Sequence, residues 1–170
     1  IPVLLDAEAD LITIHARTRK EMSKVPANWD YVRQVVEMRD AWAKAHPEKL
    51  APLIFGNGDV ETIKDGYEKA KIGNADGVMV GRAMFGNPWF FRDIENPDNP
   101  KEITKQERIM VLARQTELFD KYLGDTKSFA LMKKFFKTFM SHFDDAHTIR
   151  AKIMEMETAG EVIEYLRSKL

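Results

Sequence analysis

Leu50-Ala51-Pro52-Leu53-Ile54-Phe55-Gly56-Asn57-Gly58-Asp59 decides how this chain is read: an apolar run ends in two glycines and is followed at once by Val60-Glu61-Thr62-Ile63-Lys64-Asp65. Asn-Gly between two strands signals a tight hairpin. Here the residues after Asp59 carry a helical pattern, so the stretch reads as strand, short loop and helix, with the hairpin as the competing reading. A βα loop ends on backbone N–H groups that have no partner inside the helix, which makes it a natural seat for an anion. It is not a dinucleotide-binding fingerprint, because Glu61 stands where a third glycine is needed, and it is not a Walker loop.

Working outward, Leu11-Ile12-Thr13-Ile14-His15 and Gly77-Val78-Met79-Val80 are the neighbouring strands, and Leu50 to Phe55 is the strand between them. All three are nearly all apolar, as expected of parallel strands covered on both faces. Asn28 is expected to cap a helix from Trp29 to Ala45, with Val32, Val35, Val36, Arg39 and Trp42 at helical spacing. Asp59 is expected to cap a second helix to about Lys71, with Gly73 closing it. Ile1 to Ala9 reads as the tail of an earlier helix. Strands alternating with helices in this way imply an α/β fold with a parallel sheet.

Strand signals stop after Trp89-Phe90-Phe91, and Glu95-Asn96-Pro97-Asp98-Asn99-Pro100 is polar and rich in turn formers. The expected organisation is residues 1–92 as the α/β part, 93–103 as a linker and 104–170 as an all-α helical domain. Thr104 with Glu107 and Thr158 with Glu161 have the spacing of capping boxes, the first opening a helix to about Leu123. Between them lies the most amphipathic stretch of the chain. At about 100° per residue, Phe129, Met132, Phe135, Phe136, Phe139 and Phe143 share one side, and Lys127, Lys133, Lys134 and Lys137 the other.

A net charge of −1 argues against a protein that coats nucleic acid by basicity alone. The distribution is uneven: residues 1–100 hold 13 Lys and Arg against 16 Asp and Glu, residues 101–170 hold 13 against 11, so the helical part is the better phosphate-facing surface. The sequence has no cysteine, which excludes disulfides, thiolate zinc sites and thiol nucleophiles within these residues. No apolar run approaches the roughly 20 residues of a membrane span. The expected setting is cytoplasmic, with neither metal nor membrane as a partner.

Gly81-Arg82-Ala83 follows the last strand as Gly56-Asn57-Gly58-Asp59 follows the one before. Two consecutive strands ending in such loops can bring backbone N–H groups to one phosphate, with Arg82 adding charge, as the loops after strands seven and eight of a TIM barrel do. His15 ends the first strand and would face the same opening, since the carboxyl ends of parallel strands form the ligand face; a purely structural histidine is the competing reading. Arg17 and Arg19, two apart, either meet a polyanion from one side of an extended loop or are a solvated pair of charges.

Taken together, His15-Ala16-Arg17-Thr18-Arg19, Gly56-Asn57-Gly58-Asp59, Gly77-Val78-Met79-Val80-Gly81-Arg82-Ala83 and Gly86-Asn87-Pro88-Trp89-Phe90-Phe91 resemble the consecutive signatures of bacterial-type tRNA-dihydrouridine synthases. The resemblance implies the last three βα units, strands six to eight, of an FMN-binding TIM barrel, followed by a helical tRNA-binding domain. It implies hydride transfer from flavin, reduced by NADPH, to a uridine of tRNA. Carried over by position, Asn57, Gly58, Asp59, Gly81 and Arg82 hold the flavin phosphate and His15 lies against the flavin ring, while Arg17, Arg19, Lys133, Lys134 and Lys137 are the expected RNA contacts. The family's general acid is a cysteine, and its flavin-contacting lysine lies on an earlier strand; neither is found in these residues. The chain is therefore expected to be a fragment or truncated product, inactive alone. The rival readings are another FMN-dependent TIM-barrel oxidoreductase and a non-catalytic RNA-binding module.

Overall fold

A computed structural model describes residues 1–170. The chain divides into two compact units, one made of Ile1–Met84 and Pro88–Pro100, the other of Phe85–Asn87 and Lys101–Leu170. No helix is long and apolar enough to cross a membrane.

The first unit is α/β. A short helix α1 (Pro2–Asp6) precedes strand β1 (Leu11–His15), helix α2 (Asp30–Ala45), strand β2 (Leu53–Asn57), helix α3 (Ile63–Gly73), strand β3 (Gly77–Met79) and a single 3-10 turn at Arg82–Met84. The three strands form a parallel sheet in the order β1-β2-β3, which excludes the hairpin reading of Asn57-Gly58. Its register sets His15 beside Asn57 and Asn57 beside Met79, so the strands finish in one row and deliver their loops to one end of the sheet.

β2 begins three residues later than Leu50 because Pro52 has no N–H for the ladder and Leu50 is 93% exposed; the strand instead runs on through Gly56 into Asn57. Only one face of the sheet is covered, contrary to the expectation from the apolar runs. Ile12 and Ile54 point to the helices and pack with Trp29, Val32, Val35, Val36 and Trp42, whereas Leu11, Leu53 and Met79 on the other face stay exposed. Period-two alternation puts Phe55 on that exposed face too, and its ring lies 2.6 Å from where a Cβ on Gly77 would stand.

Trp29 occupies the cap position of α2, and the Asn28 side chain accepts from the Asp30 N–H at 3.0 Å, so Asn28 still tends the first turn. Arg39 folds over the far end of the sheet, donating to the Pro52 carbonyl at 2.9 Å and to Asp76 at 2.8 Å, while Asp76 accepts from the Ile54 N–H at 2.7 Å. Asp59 does not cap α3. Thr62 does, accepting from the Asp65 N–H at 3.1 Å, and the helix closes on Asn74 in the left-handed region at φ 48° rather than on Gly73. The segment 93–100 belongs to this unit, with Lys64 paired to Asp98 at 2.8 Å and the Tyr67 hydroxyl donating to the Ile94 carbonyl at 3.4 Å.

The second unit is all α: α4 (Lys105–Leu123), α5 (Ala130–Phe139), α6 (Ala146–Glu155) and α7 (Ala159–Arg167). Both capping boxes form, at Thr104 with Glu107 and at Thr158 with Glu161. The core joins Ile109 and Leu112 of α4, Met132, Phe136 and Phe139 of α5, Ile149 and Ile153 of α6, and Val162 and Leu166 of α7. Phe129 bridges Phe119 and Phe136 edge-on. Phe135 departs from the phenylalanine stripe: it lies at the edge of the apolar sector and is 38% exposed, next to Leu131 at 39%. Gly86 runs against the end of α5 at φ 70°, where a Cβ would come within 2.5 Å of the Thr138 carbonyl oxygen, so no other residue fits there.

Candidate anion cleft at the ends of the strands

The row formed by the strand ends opens into a cleft of about 580 Å³, within the range of small-molecule sites. His15, Arg17, Asn57, Gly58, Asp59, Gly81 and Arg82 all line it, together with Glu61. Asn57 ties the two glycine loops together, its Nδ2 donating to the Met79 carbonyl at 2.8 Å.

The loop after β2 is held in an unusual conformation from behind. Gly58 has φ 139°, and a Cβ there would stand 2.8 Å from that of Ala27. Asp59 follows in the left-handed region at φ 52°, a conformation that Asp tolerates better than most residues. The carbonyls of this pair are both taken: Trp29 Nε1 donates to Gly58 O at 3.1 Å and Lys69 Nζ to Asp59 O at 2.5 Å. The amides of Gly58, Asp59 and Gly81, by contrast, have no acceptor in the protein. Buried or half-buried N–H groups left in this state, as at Gly58 and Asp59, are anion donors in waiting, while the Gly81 amide sits on an exposed residue. At Gly81 nothing lies within 4 Å of where a Cβ would be, so this glycine leaves room rather than satisfying the backbone.

Charge in the cleft is organised around the Asp59 carboxylate. It accepts from the Arg17 guanidinium, from the Ala27 N–H at 2.9 Å and from Arg82 Nη2 at 3.1 Å. The Arg17 side chain is only 6% exposed and its Nε donates to the Val25 carbonyl at 2.6 Å, so Arg17 and Arg19 do not project together. Arg17 is turned inward and is unsuited to meeting RNA, because Asp59, distant in sequence, takes its charge. Arg19 remains exposed. On the helical unit, Lys133 Nζ is bound to the Met154 carbonyl at 2.8 Å and finishes the last turn of α6. Lys134 and Lys137 stay exposed.

Trp29 and Lys69 were not singled out by sequence. Lys69 had a signal of a kind, since Asp65 four residues earlier pairs with it at 2.5 Å.

The Arg17 guanidinium holds the Asp59 carboxyl below its ordinary value, outweighing desolvation, with the Ala27 N–H helping. Burial pushes the Asp76 carboxyl up, but the Ile54 N–H and Arg39 together outweigh it and hold it low as well. Carboxyls depressed by folding stabilise the folded state above their unfolded pKa and lose that contribution as pH falls through the folded value. The first unit is therefore expected to weaken on acidification from about pH 4 downward, near the ordinary Asp value. Urea unfolding followed from pH 6 to pH 2.5 checks this, and Asp76→Asn should flatten the dependence.

The sequence matches the family described as dihydrouridine synthase (Dus) over residues 2–170. A probable tRNA-dihydrouridine synthase of Staphylococcus aureus (strain Mu50 / ATCC 700699) is 35% identical over 153 residues, covering 88% of this chain and 43% of that protein. One from Staphylococcus epidermidis (strain ATCC 12228 / FDA PCI 1200) is 33% identical over 158 residues, 91% of this chain and 44% of its own length. Probable tRNA-dihydrouridine synthase 2 of Bacillus subtilis (strain 168) is 32% identical over 152 residues, 89% of this chain and 43% of that protein. The chain thus spans less than half the length of these curated relatives. Since the match takes in the strand-end loops and the helical unit alike, the chain belongs to the dihydrouridine synthase family.

Proposed function

We propose that the chain serves as the carboxyl-terminal part of an FMN-dependent tRNA-dihydrouridine synthase, its strands being the sixth to eighth of a TIM barrel and its helical unit a tRNA-binding domain. The observation that carries this reading is the set of unpaired amides at Gly58, Asp59 and Gly81 around one cleft, with Arg82 at its mouth. The apolar sheet face of exposed Leu11, Leu53 and Met79 with half-buried Phe55 supports the barrel, because such residues fill a barrel's interior.

The residues of the cleft fit a flavin phosphate: three N–H donors lack acceptors, a Cβ at Gly81 would have open space, and Arg82 supplies positive charge. Asn57 joins the two loops and Asp59 binds the arginines, so these two shape the phosphate seat through their neighbours. When bound, FMN recharged by NADPH supplies the hydride that reduces the uracil ring. His15, exposed at the rim, is the residue positioned for the flavin ring. The sequence has no cysteine to protonate the uracil carbon, so the isolated chain is expected to bind flavin without turnover.

A fluorescence titration of FMN with the 170-residue chain tests the reading: saturable quenching at one equivalent supports it, and its absence defeats it. For the RNA contacts, Arg19, Lys134 and Lys137 remain the candidates. Charge reversal at Lys134 and Lys137 together is expected to weaken tRNA binding and to reduce the slope of log affinity against log salt by about two. An unchanged slope places the RNA elsewhere.

A further inference from the structure

A carboxylate beside an anion site repels the ligand unless its charge is otherwise engaged. Both oxygens of Asp59 are engaged: one accepts from Arg17 and from the Ala27 N–H at 2.9 Å, the other from Arg82 Nη2 at 3.1 Å. The two arginines differ in kind. Arg17 is 6% exposed and anchored a second time on the Val25 carbonyl, whereas Arg82 is 70% exposed and makes no other bond to the protein. A solvated arginine samples many rotamers, and a fixed carboxylate restricts that freedom before any ligand arrives.

Resting on the flavin-phosphate reading above, we propose that Asp59 is a positioning residue: its carboxylate, anchored by Arg17 and the Ala27 N–H, aims the Arg82 guanidinium and the Gly58 and Asp59 amides at the phosphate-bearing end of the ligand and touches no ligand itself. Arg17 is then the internal brace of the phosphate loop. The Arg17 contact keeps the Asp59 carboxyl ionised across the neutral range, so the brace is always charged there.

Asp59→Asn separates this from simple electrostatics, because removing a negative charge beside a phosphate should tighten binding if the carboxylate is a bystander and weaken it if the carboxylate positions Arg82. Calorimetric titration of the 170-residue chain with FMN, with riboflavin and with inorganic phosphate reads the difference. Asp59→Asn is expected to weaken FMN and phosphate about tenfold, the size of one lost charge-assisted hydrogen bond, and to leave riboflavin unchanged. Arg82→Gln should give the same kind of phosphate-specific loss, with Asp59→Asn adding less on top of it than it costs alone. Equal or tighter FMN binding by Asp59→Asn, or equal losses for FMN and riboflavin, overturns the proposal.

If Asp59→Asn fails to fold, Arg17→Lys, which keeps the charge but loses the guanidinium fork, carries the test; an unchanged ratio of FMN to riboflavin affinity then overturns it. A wild-type chain that prefers FMN to riboflavin, with Asp59→Asn binding FMN no more weakly, defeats this proposal alone; one that binds the two equally defeats the phosphate seat as well. One that binds phosphate but not FMN defeats the flavin reading and leaves the phosphate arm to decide. One that binds neither defeats both.

Discussion

Trp29→Ala is expected to destabilise the first unit by about 3–5 kcal/mol, the range for removing a large buried aromatic. The ring is 4% exposed and fills the space over two glycines: a Cβ at Gly56 would stand 2.2 Å from it and one at Gly73 3.1 Å. β2 and α3 have therefore approached until only the indole separates them, and alanine leaves a void that neither backbone can close. The substitution also frees the Gly58 carbonyl, which Trp29 Nε1 now holds at 3.1 Å. FMN affinity should fall along with stability, because the left-handed turn at Gly58 and Asp59 loses its rear support. Urea unfolding monitored by circular dichroism measures the first effect, and a loss below about 1 kcal/mol would show that the glycines close on the gap.

Gly81→Leu should behave in the opposite way, with stability changed by no more than about 0.5 kcal/mol, the usual range for an unencumbered surface position. Nothing lies within 4 Å of where the new Cβ would stand, so the fold has no reason to object. FMN affinity is nevertheless expected to drop about a hundredfold, because the isobutyl group takes the room left for the ligand and displaces roughly two charge-assisted hydrogen bonds. Gly58→Ala makes the useful contrast. At φ 139° and with Ala27 2.8 Å away, its alanine strains the loop itself and lowers stability and affinity together. Parallel thermal melts and FMN titrations of the two variants separate the glycine that shapes the backbone from the one that makes room.

Local patterns in the sequence were enough to locate most of the elements, and the misses have more than one cause. Thr104 and Thr158 announced their helices because a capping box needs only residues three apart. β1 was legible to the residue, since Asp10 precedes Leu11 and the apolar run ends at His15. Asp59 was misread as a cap because Asp is a good one; Thr62, three residues on, takes that role, and the positive φ that turns Asp59 back toward the arginines leaves no mark in the sequence. The inward turn of Arg17 depends on a partner 42 residues away, beyond any local pattern. α6 carries no side-chain cap at Asp145, so only the helical spacing of Ala146, Ile149 and Ile153 marks it. The bare sheet face was hidden for another reason. Leu11, Leu53 and Met79 are as apolar as residues meant to be covered, and sequence does not say what covers them.

At the cleft, the glycines and Arg82 could be picked out because a loop after each of two successive strands is a pattern in itself. The supporting contacts from Trp29, Lys69 and Arg17 arise from packing between elements and came only with the structure.

The central claim is that the two strand-end loops seat a phosphate-bearing flavin. Its most direct test is a ¹⁵N–¹H correlation titration of the 170-residue chain with FMN. The amides of Gly58, Asp59, Gly81 and Arg82 are expected to shift together and saturate at one equivalent, while Lys134 and Lys137 of the helical unit stay still. Saturable FMN binding whose shifts miss these loops would contradict the account.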